Sequence, residues 1–199
     1  MRKTILSLLL VAGLHGAAHA QRGNVSLGLK AGASYARFVG KQAGNQEGLF
    51  GFNAGGFANI SLSQLFAFQP EILFSQKGFK FKNVEDLSNR VNYLDVPLSF
   101  HVNTNGLFFE AGPQVGFLLS AKTKNGNLST DTKAVYNAVD FGYLFGLGYQ
   151  RKAGPGIGLR YNGGFTNVRK SYPLGNMTVQ DQARNSVIQL YLTYSVNSR

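Results

Sequence analysis

Residues 139–168 read VDFGYLFGLGYQRKAGPGIGLRYNGGFTNV, and their pattern is the clearest indication of the fold. From Val139 to Tyr149 every second residue is apolar or aromatic, and most residues between them are small or polar. A period of two predicts a β-strand rather than a helix. The segment 151–155, rich in charge, Gly and Pro, predicts a turn, and the alternation returns from Ile157 to Thr166. One face of both strands is strongly aromatic and the other holds Gly, polar and charged residues, a pattern typical of a sheet with lipid outside and a narrow polar interior.

The first twenty residues have the pattern of a signal peptide. Two basic residues precede an apolar run at 5–14, which is too short to span a bilayer, and Ala-His-Ala at 18–20 fits the small-x-small cleavage rule. A short buried helix, the alternative, does not account for the cleavage pattern. We predict a signal peptide at 1–20 and a single exported domain at 21–199.

Composition narrows the class of the exported domain. The chain has no Cys, which excludes disulfides, thiol catalysis and Cys-based metal sites. No uninterrupted apolar run after the predicted signal reaches about 18 residues, so no transmembrane helix is predicted. Only 15% of residues are charged, whereas about a quarter is usual for a soluble domain. The low charge favours a lipid-facing exterior, and therefore an outer-membrane location.

The net charge of +11 predicts anionic partners. For an exported chain we expect no nucleic acid; anionic lipid head groups and lipopolysaccharide phosphates are the expected partners. A solvated loop surface is the plainer interpretation, because acidic residues dilute the basic ones. The basic residues of the predicted loops are Lys41, Lys82, Arg90, Lys122, Lys124, Lys133, Arg169, Lys170 and Arg184.

Eight strands follow from the alternation along the chain, at about 25–38, 49–62, 66–80, 91–102, 107–121, 139–150, 157–166 and 186–196. The connections alternate long and short, as in a barrel with short periplasmic turns and longer outer loops. The predicted fold is all-β: an eight-stranded antiparallel transmembrane β-barrel with up-and-down meander topology. Phe57 is expected inside, Pro70 predicts a bulge or bend, and Asn105-Gly106 predicts a hairpin turn.

Ionisable residues recur on the predicted inner face. Ionised groups in a low-dielectric setting must be paired or neutralised, and the mixed signs allow a network that fixes and plugs the interior. A polar path or gate, and acid–base catalysis by a carboxylate pair, are the alternatives. The predicted network, in which the basic residues oppose the acidic ones, comprises Lys30, Glu71, Asp95, Glu110, Asp140 and Arg160, and Lys77 shares the same face.

Ser99 and His101 lie two apart on one predicted face and could form a lipid-acting Ser–His pair. No further catalytic signature accompanies them, so we predict His101 to be interfacial or adjacent to a loop. The other two His residues lie in the predicted signal peptide, and the glycine-rich 146–156 segment lacks phosphate-loop spacing. We predict no catalytic residues, no metal and no cofactor.

The order of segments resembles the PorT-like outer-membrane β-barrel family of Bacteroidota over nearly the whole mature chain, most specifically in QPEILFSQKG, YLDVPL and GPQVG. The resemblance implies an eight-stranded outer-membrane barrel with no catalytic motif, and the family's namesake is a component of a secretion system. The matching segments are GLKAGASYARF (28–38), GFNAGGFANISL (51–62), FAFQPEILFSQKGFKF (66–81), YLDVPLSFHV (93–102), FFEAGPQVGFLLSAK (108–122) and FGLGYQRKAGPGIGLRYNGGFTNV (145–168).

We therefore expect a monomeric, non-enzymatic barrel with a structural or interaction role in the cell envelope, associated through its resemblance with protein secretion. The first alternative is a narrow channel for ions or small solutes. The second is a lipid-modifying barrel enzyme, and a soluble lipocalin-like barrel is the alternative fold.

Overall fold

The computed structural model describes residues 25–41, 46–82, 84, 86–151, 154–174, 177–179 and 182–195. The predicted signal peptide lies outside these residues. A 3₁₀ turn at Lys133–Val135 is the one helical segment in the described part of the chain, where no helix is long and apolar enough to cross a membrane. The strands are β1 (Val25–Val39), β2 (Gln46–Ser61), β3 (Phe66–Phe81), β4 (Leu87–Thr104), β5 (Leu107–Asn125), β6 (Leu128–Asp131), β7 (Val139–Gln150), β8 (Gly154–Gly164), β9 (Tyr172–Leu174), β10 (Met177–Val179) and β11 (Arg184–Ser195).

Eight of these strands form a closed antiparallel barrel. Each pairs with its neighbour in the chain in the order β1, β2, β3, β4, β5, β7, β8 and β11, and β11 pairs back onto β1 from Ser195 to Arg184. The short strand β6 extends β5 as a hairpin, while β9 and β10 pair only with each other. The predicted fold class and meander topology are confirmed.

The two ends of the barrel differ in their connections. Short connections at 62–65, at 105–106 and between β7 and β8 join strands at one end, and the longer connections all lie at the other. Asn105 and Gly106 have φ values of 47° and 91°, and two successive positive φ values are those of the tight hairpin turn predicted there. In transmembrane barrels of the predicted kind the short turns face the periplasm, so we expect the turn end to face the periplasm, and we call the opposite end the outward end.

The strands on one side of the barrel are longer than predicted. Strands β2 to β5 span 16 to 19 residues, whereas about 9–11 residues suffice to cross a bilayer. Parts of the predicted loops at 39–48, 81–90 and 122–137 are therefore paired strand, and the last of them contains the β5–β6 hairpin. These strands project beyond the apolar band at the outward end.

Apolar residues cover the outer face of the barrel, and the inner face is polar over most of its height. Exposed aromatic and aliphatic side chains recur on every barrel strand, including Leu29, Phe50, Ile72, Phe109 and Leu192. Phe57 points inward as predicted and is 8% exposed. A Cβ on Gly28 would lie 2.2 Å from the Phe57 ring, so this glycine makes the space that the ring fills.

Of the bulge or bend predicted at Pro70, the bulge is absent. Pairing between β3 and β4 is interrupted next to Pro70, but the register is the same on both sides of the interruption. Neither strand therefore has an extra residue there. Register shifts occur instead between Gly48 and Asn53 in β2 and next to Asn92 in β4. The second shift turns Ser120 outward, where it accepts a hydrogen bond from Asn92 Nδ2 at 2.9 Å.

Candidate functional site

Four charged side chains from four different strands meet at mid-height inside the barrel. Lys30 Nζ of β1 lies 2.7 Å from Glu71 Oε1 of β3, and both side chains have zero exposure. Arg160 of β8 donates from Nη1 and Nη2 to the two oxygens of Glu71, at 2.9 and 2.8 Å. It also donates from Nε at 2.9 Å, and from Nη2, to Glu110 of β5. We call Lys30, Glu71, Glu110 and Arg160 the central ionic cluster.

The central ionic cluster is electrically balanced and fully enclosed. Its two cations oppose two carboxylates, so no formal charge is left without a counter-charge. Tyr191 donates to Glu110 Oε1 at 2.7 Å, and its ring lies 4.0 Å from Lys30 Nζ. Gln69 donates to Glu71 Oε1 at 2.8 Å. The alternation along β3 and β11 puts Gln69 and Tyr191 on the same face as the charges, and this shared face was the available signal for their part in the cluster.

A second group of charges lies nearer the outward end. Lys77 Nζ of β3 is 3.0 Å from Asp95 Oδ1 and 4.0 Å from Asp140 Oδ2, and all three side chains are buried. Asp140 also accepts hydrogen bonds from Thr166 Oγ1 at 2.9 Å and from Asn185 Nδ2 at 2.8 Å. We call Lys77, Asp95 and Asp140 the upper ionic cluster. The sequence-based expectation of one network is therefore corrected: Asp95 and Asp140 oppose Lys77, not Lys30 or Arg160.

An apolar layer closes the barrel above the upper ionic cluster. Phe38 and Phe79 have ring centroids 5.0 Å apart, and Tyr136 meets Phe38 edge-on at 6.4 Å. The Arg169 guanidinium lies 5.4 Å from the Phe79 ring. Sequence reasoning did not identify this layer, which we call the aromatic cap. Its buried members are Phe38, Phe79, Val91, Tyr93, Leu118, Ala121, Tyr136, Val168 and Ala183.

Ser99 and His101 do meet, but inside the barrel and without the arrangement of a Ser–His–acid triad. His101 is 4% exposed and stacks on Phe108, so it is not interfacial; it lies near the end of β4 that leads into the 105–106 turn, which agrees with the other predicted position, adjacent to a loop. Its Nε2 lies 3.1 Å from Ser99 Oγ and 3.4 Å from Glu110 Oε2. A serine-activating His takes the hydroxyl proton on one ring nitrogen and is oriented by an acid on the other. Here one nitrogen faces both groups, and the Ser99 hydroxyl donates to the Gln69 carbonyl at 3.0 Å.

Charge is distributed unequally between the two ends of the barrel exterior. Within the described ranges, Arg151 is the one charged residue at the turn end, and no group of three or more acidic or His residues could hold a metal. The outward end is strongly basic, since among the described residues there three acidic ones, Glu47, Asp86 and Asp131, oppose eleven basic ones. The basic residues are Arg37, Lys41, Lys80, Lys82, Arg90, Lys122, Lys124, Lys133, Arg169, Lys170 and Arg184.

The sheet is closed, its outer face is apolar as contact with lipid requires, and its interior is polar. These features define an outer-membrane β-barrel. A family model described as "Outer membrane protein beta-barrel domain" matches residues 18–170. The chain belongs to this outer-membrane β-barrel family. A search of curated proteins found no match.

A solved structure supports the fold. Neisserial surface protein A (NspA) superposes with a TM-score of 0.55 at 14% identity, over 85% of this chain and 97% of that one. The attachment invasion locus protein Ail of Yersinia pestis gives a TM-score of 0.46 at 16% identity, over 87% of this chain and 98% of that one. At these identities the likeness to NspA establishes the barrel fold and nothing about activity.

Proposed function

We propose that this protein is a closed, non-conducting outer-membrane barrel that acts by contacts at its outward end, as a structural or interaction component of the cell envelope. The closure of its interior at successive levels carries this proposal. An eight-stranded barrel has an interior that side chains can just fill.

The central ionic cluster supports closure at mid-height. Its side chains come from β1, β3, β5 and β8, so the ion pairs bridge the lumen between strands that are not neighbours in the barrel. An ion crossing this level would have to separate Arg160 from Glu71 or Glu110. The cost of unpairing buried charges opposes a permanent polar path.

The aromatic cap supports closure at the outward mouth. Phe79 is 1% exposed, and Phe38 and Tyr136 are 2% and 3% exposed. Tyr136 is held by a hydrogen bond from its hydroxyl to Asn89 Oδ1 at 2.8 Å. An apolar layer offers no groups to replace the water around an ion, so it opposes conduction independently of the charges below it.

Planar-bilayer recording tests the closed-barrel proposal against the channel alternative. Refolded protein is expected to give no conductance steps above those of the empty bilayer. Reproducible steps whose ion selectivity changes in Lys30→Ala or Glu110→Ala would overturn the proposal and locate the path through the central ionic cluster.

The contact role includes association with protein-secretion components, which rests on the sequence resemblance alone. Site-specific photo-crosslinking in intact cells tests it, with the reactive group at Asn127 on the β5–β6 hairpin or at Gln64 on a periplasmic turn. Recovery of one defined secretion or envelope-assembly protein from Asn127 and not from Gln64 is expected. If neither site yields a defined protein partner, the secretion association is rejected.

A further inference from the structure

An open groove of about 600 Å³ lies on the outer surface at the outward end, where β7 begins and β8 ends. Its polar lining includes Asn137, Thr166 and Asn167. Phe141 and Phe165 form its apolar part, and Arg184, the first residue of β11, lies at its edge. The groove therefore combines aromatic, amide and cationic surface in one place.

Arg184, at the edge of the groove, has a second arginine beside it, Arg37 of β1, which lies outside the groove lining. In the pairing of β1 with β11, Arg37 opposes Ser186 and Val39 opposes Arg184, so Arg37 and Arg184 occupy diagonal positions about 7–8 Å apart. Both are exposed on the outer face, and in the part of the chain that the structure describes neither side chain has an ion pair or hydrogen bond. By contrast, Arg90 elsewhere at the outward end donates to Gln76 Oε1 at 3.0 Å.

The aromatic part of the groove continues the lipid-facing surface. Phe141 is 51% exposed and Phe165 is 60% exposed. Tyr143, the next outward residue of β7, has its ring centroid 4.8 Å from that of Phe165. Apolar surface of this kind extends down β7 through Phe145 and Leu147. A molecule in the groove would thus have hydrocarbon below it and water above it.

We propose that this groove binds a phosphorylated lipid of the outer leaflet. Arg184 and Arg37 contact the phosphate, the polar rim faces the sugar or glycerol part, and an acyl chain lies over Phe165 and Phe141. Guanidinium groups match phosphate oxygens in geometry and charge. The inference deepens the proposed contact role and rests on it, because it names the lipid as one partner at the outward end.

The observations favour a lipid over a free anion. A soluble phosphate would use the arginines but not the exposed rings that line the groove beside Arg184. A lipid uses both, since its phosphate lies at the level where the apolar band ends and its chain continues along that band.

Native mass spectrometry of the purified barrel in mild detergent, titrated with bisphosphorylated lipid A, tests the proposal. Wild type is expected to bind one lipid, and the double variant Arg37→Gln, Arg184→Gln to bind it at least about tenfold more weakly. The matched double variant Lys122→Gln, Lys124→Gln removes the same charge elsewhere on the outward end and is expected to retain binding. Phe165→Ala weakens binding, whereas Phe145→Ala in the middle of the band does not.

Three results would each contradict the proposed lipid-binding site. Equal losses in the two double variants would mean diffuse charge attraction, and equal binding of dephosphorylated lipid A would remove the role of the phosphate. Full competition by inorganic phosphate would identify a free-anion site. These results are independent of the bilayer recordings, so the lipid site and the closed-barrel function can fail separately.

Discussion

At the level of single residues, Arg160 links three strands across the barrel interior. From β8 it reaches Glu71 on β3 and Glu110 on β5, and its side chain has zero exposure. Each carboxylate accepts at least two hydrogen bonds from it. Such a charge is stable inside a protein only because its partners are fixed around it.

Replacing Arg160 tests this dependence. In Arg160→Met, two buried carboxylates face Lys30 alone, and we expect the free energy of unfolding to fall by about 3–5 kcal/mol. Reversible urea unfolding in lipid vesicles, followed by tyrosine fluorescence, measures it. Arg151→Met, which removes an exposed arginine at a turn, is the control and should change stability little. Equal effects of the two variants would show that the cluster contributes nothing specific.

The aromatic cap gives a second prediction about single residues. Phe79→Ala leaves a cavity among buried rings and should lower the free energy of unfolding by about 3–5 kcal/mol. Phe109→Ala removes the same atoms from a lipid-facing ring that is 56% exposed, so its cost should be clearly smaller. The same urea titration compares them. A lipid-facing variant as destabilised as the cap variant would contradict the cap's packing role.

Side-chain direction at this scale was predictable, and side-chain pairing was not. A period of two assigns each residue of a strand to a face, and all seven predicted inner charges are buried. Which of them meet depends on the stagger between distant strands, which alternation does not contain. His101 is another example. The alternation placed it on the same face as Ser99, but it could not show that His101 lies at the same level of the barrel as Glu110.

At the scale of elements, strand ends were predicted less well than strand centres. In β4 the structure continues outward from Val91 to Leu87. There the side chains on the outer face of the strand, Ser88 and Arg90, are polar. The alternation of apolar residues by which a strand is recognised therefore ends above the membrane. The ladder nonetheless continues, because Arg90 still pairs with Gly78 and Lys122.

Single cysteines can test the orientation of these elements, since the chain contains none. Asn127→Cys lies at the exposed tip of the β5–β6 hairpin, and Gln64→Cys lies in the exposed turn between β2 and β3. A maleimide on a polymer too large for porins should label the hairpin cysteine in intact cells and the turn cysteine only after lysis. The reverse pattern would mean that the barrel is inverted.

At the scale of the whole molecule, closure is redundant. The central ionic cluster and the aromatic cap block different heights by different physical means, one by paired charge and one by apolar packing. Both depend on long-range pairing: Arg160 and Glu71 are 89 residues apart in sequence. The sequence indicated a filled lumen, but it could not show that two separate layers fill it.

This redundancy predicts the behaviour of an opened cap. The double variant Phe38→Ala, Phe79→Ala removes two rings from the outward mouth and leaves Lys30, Glu71 and Arg160 paired below. It should remain silent in planar bilayers while being less stable to urea than wild type. Conductance steps in this variant would show that the ionic cluster alone does not close the barrel.

The pairing of β1 with β11 has a consequence for biogenesis. These strands are the first and last of the barrel, and twelve paired positions join them. Until that seam forms, both strands have unsatisfied backbone edges, which invite aggregation. Contacts of such long sequence separation form slowly. The exported chain must therefore be shielded in transit until its last strand has arrived, and assembly in the membrane ends when this seam closes.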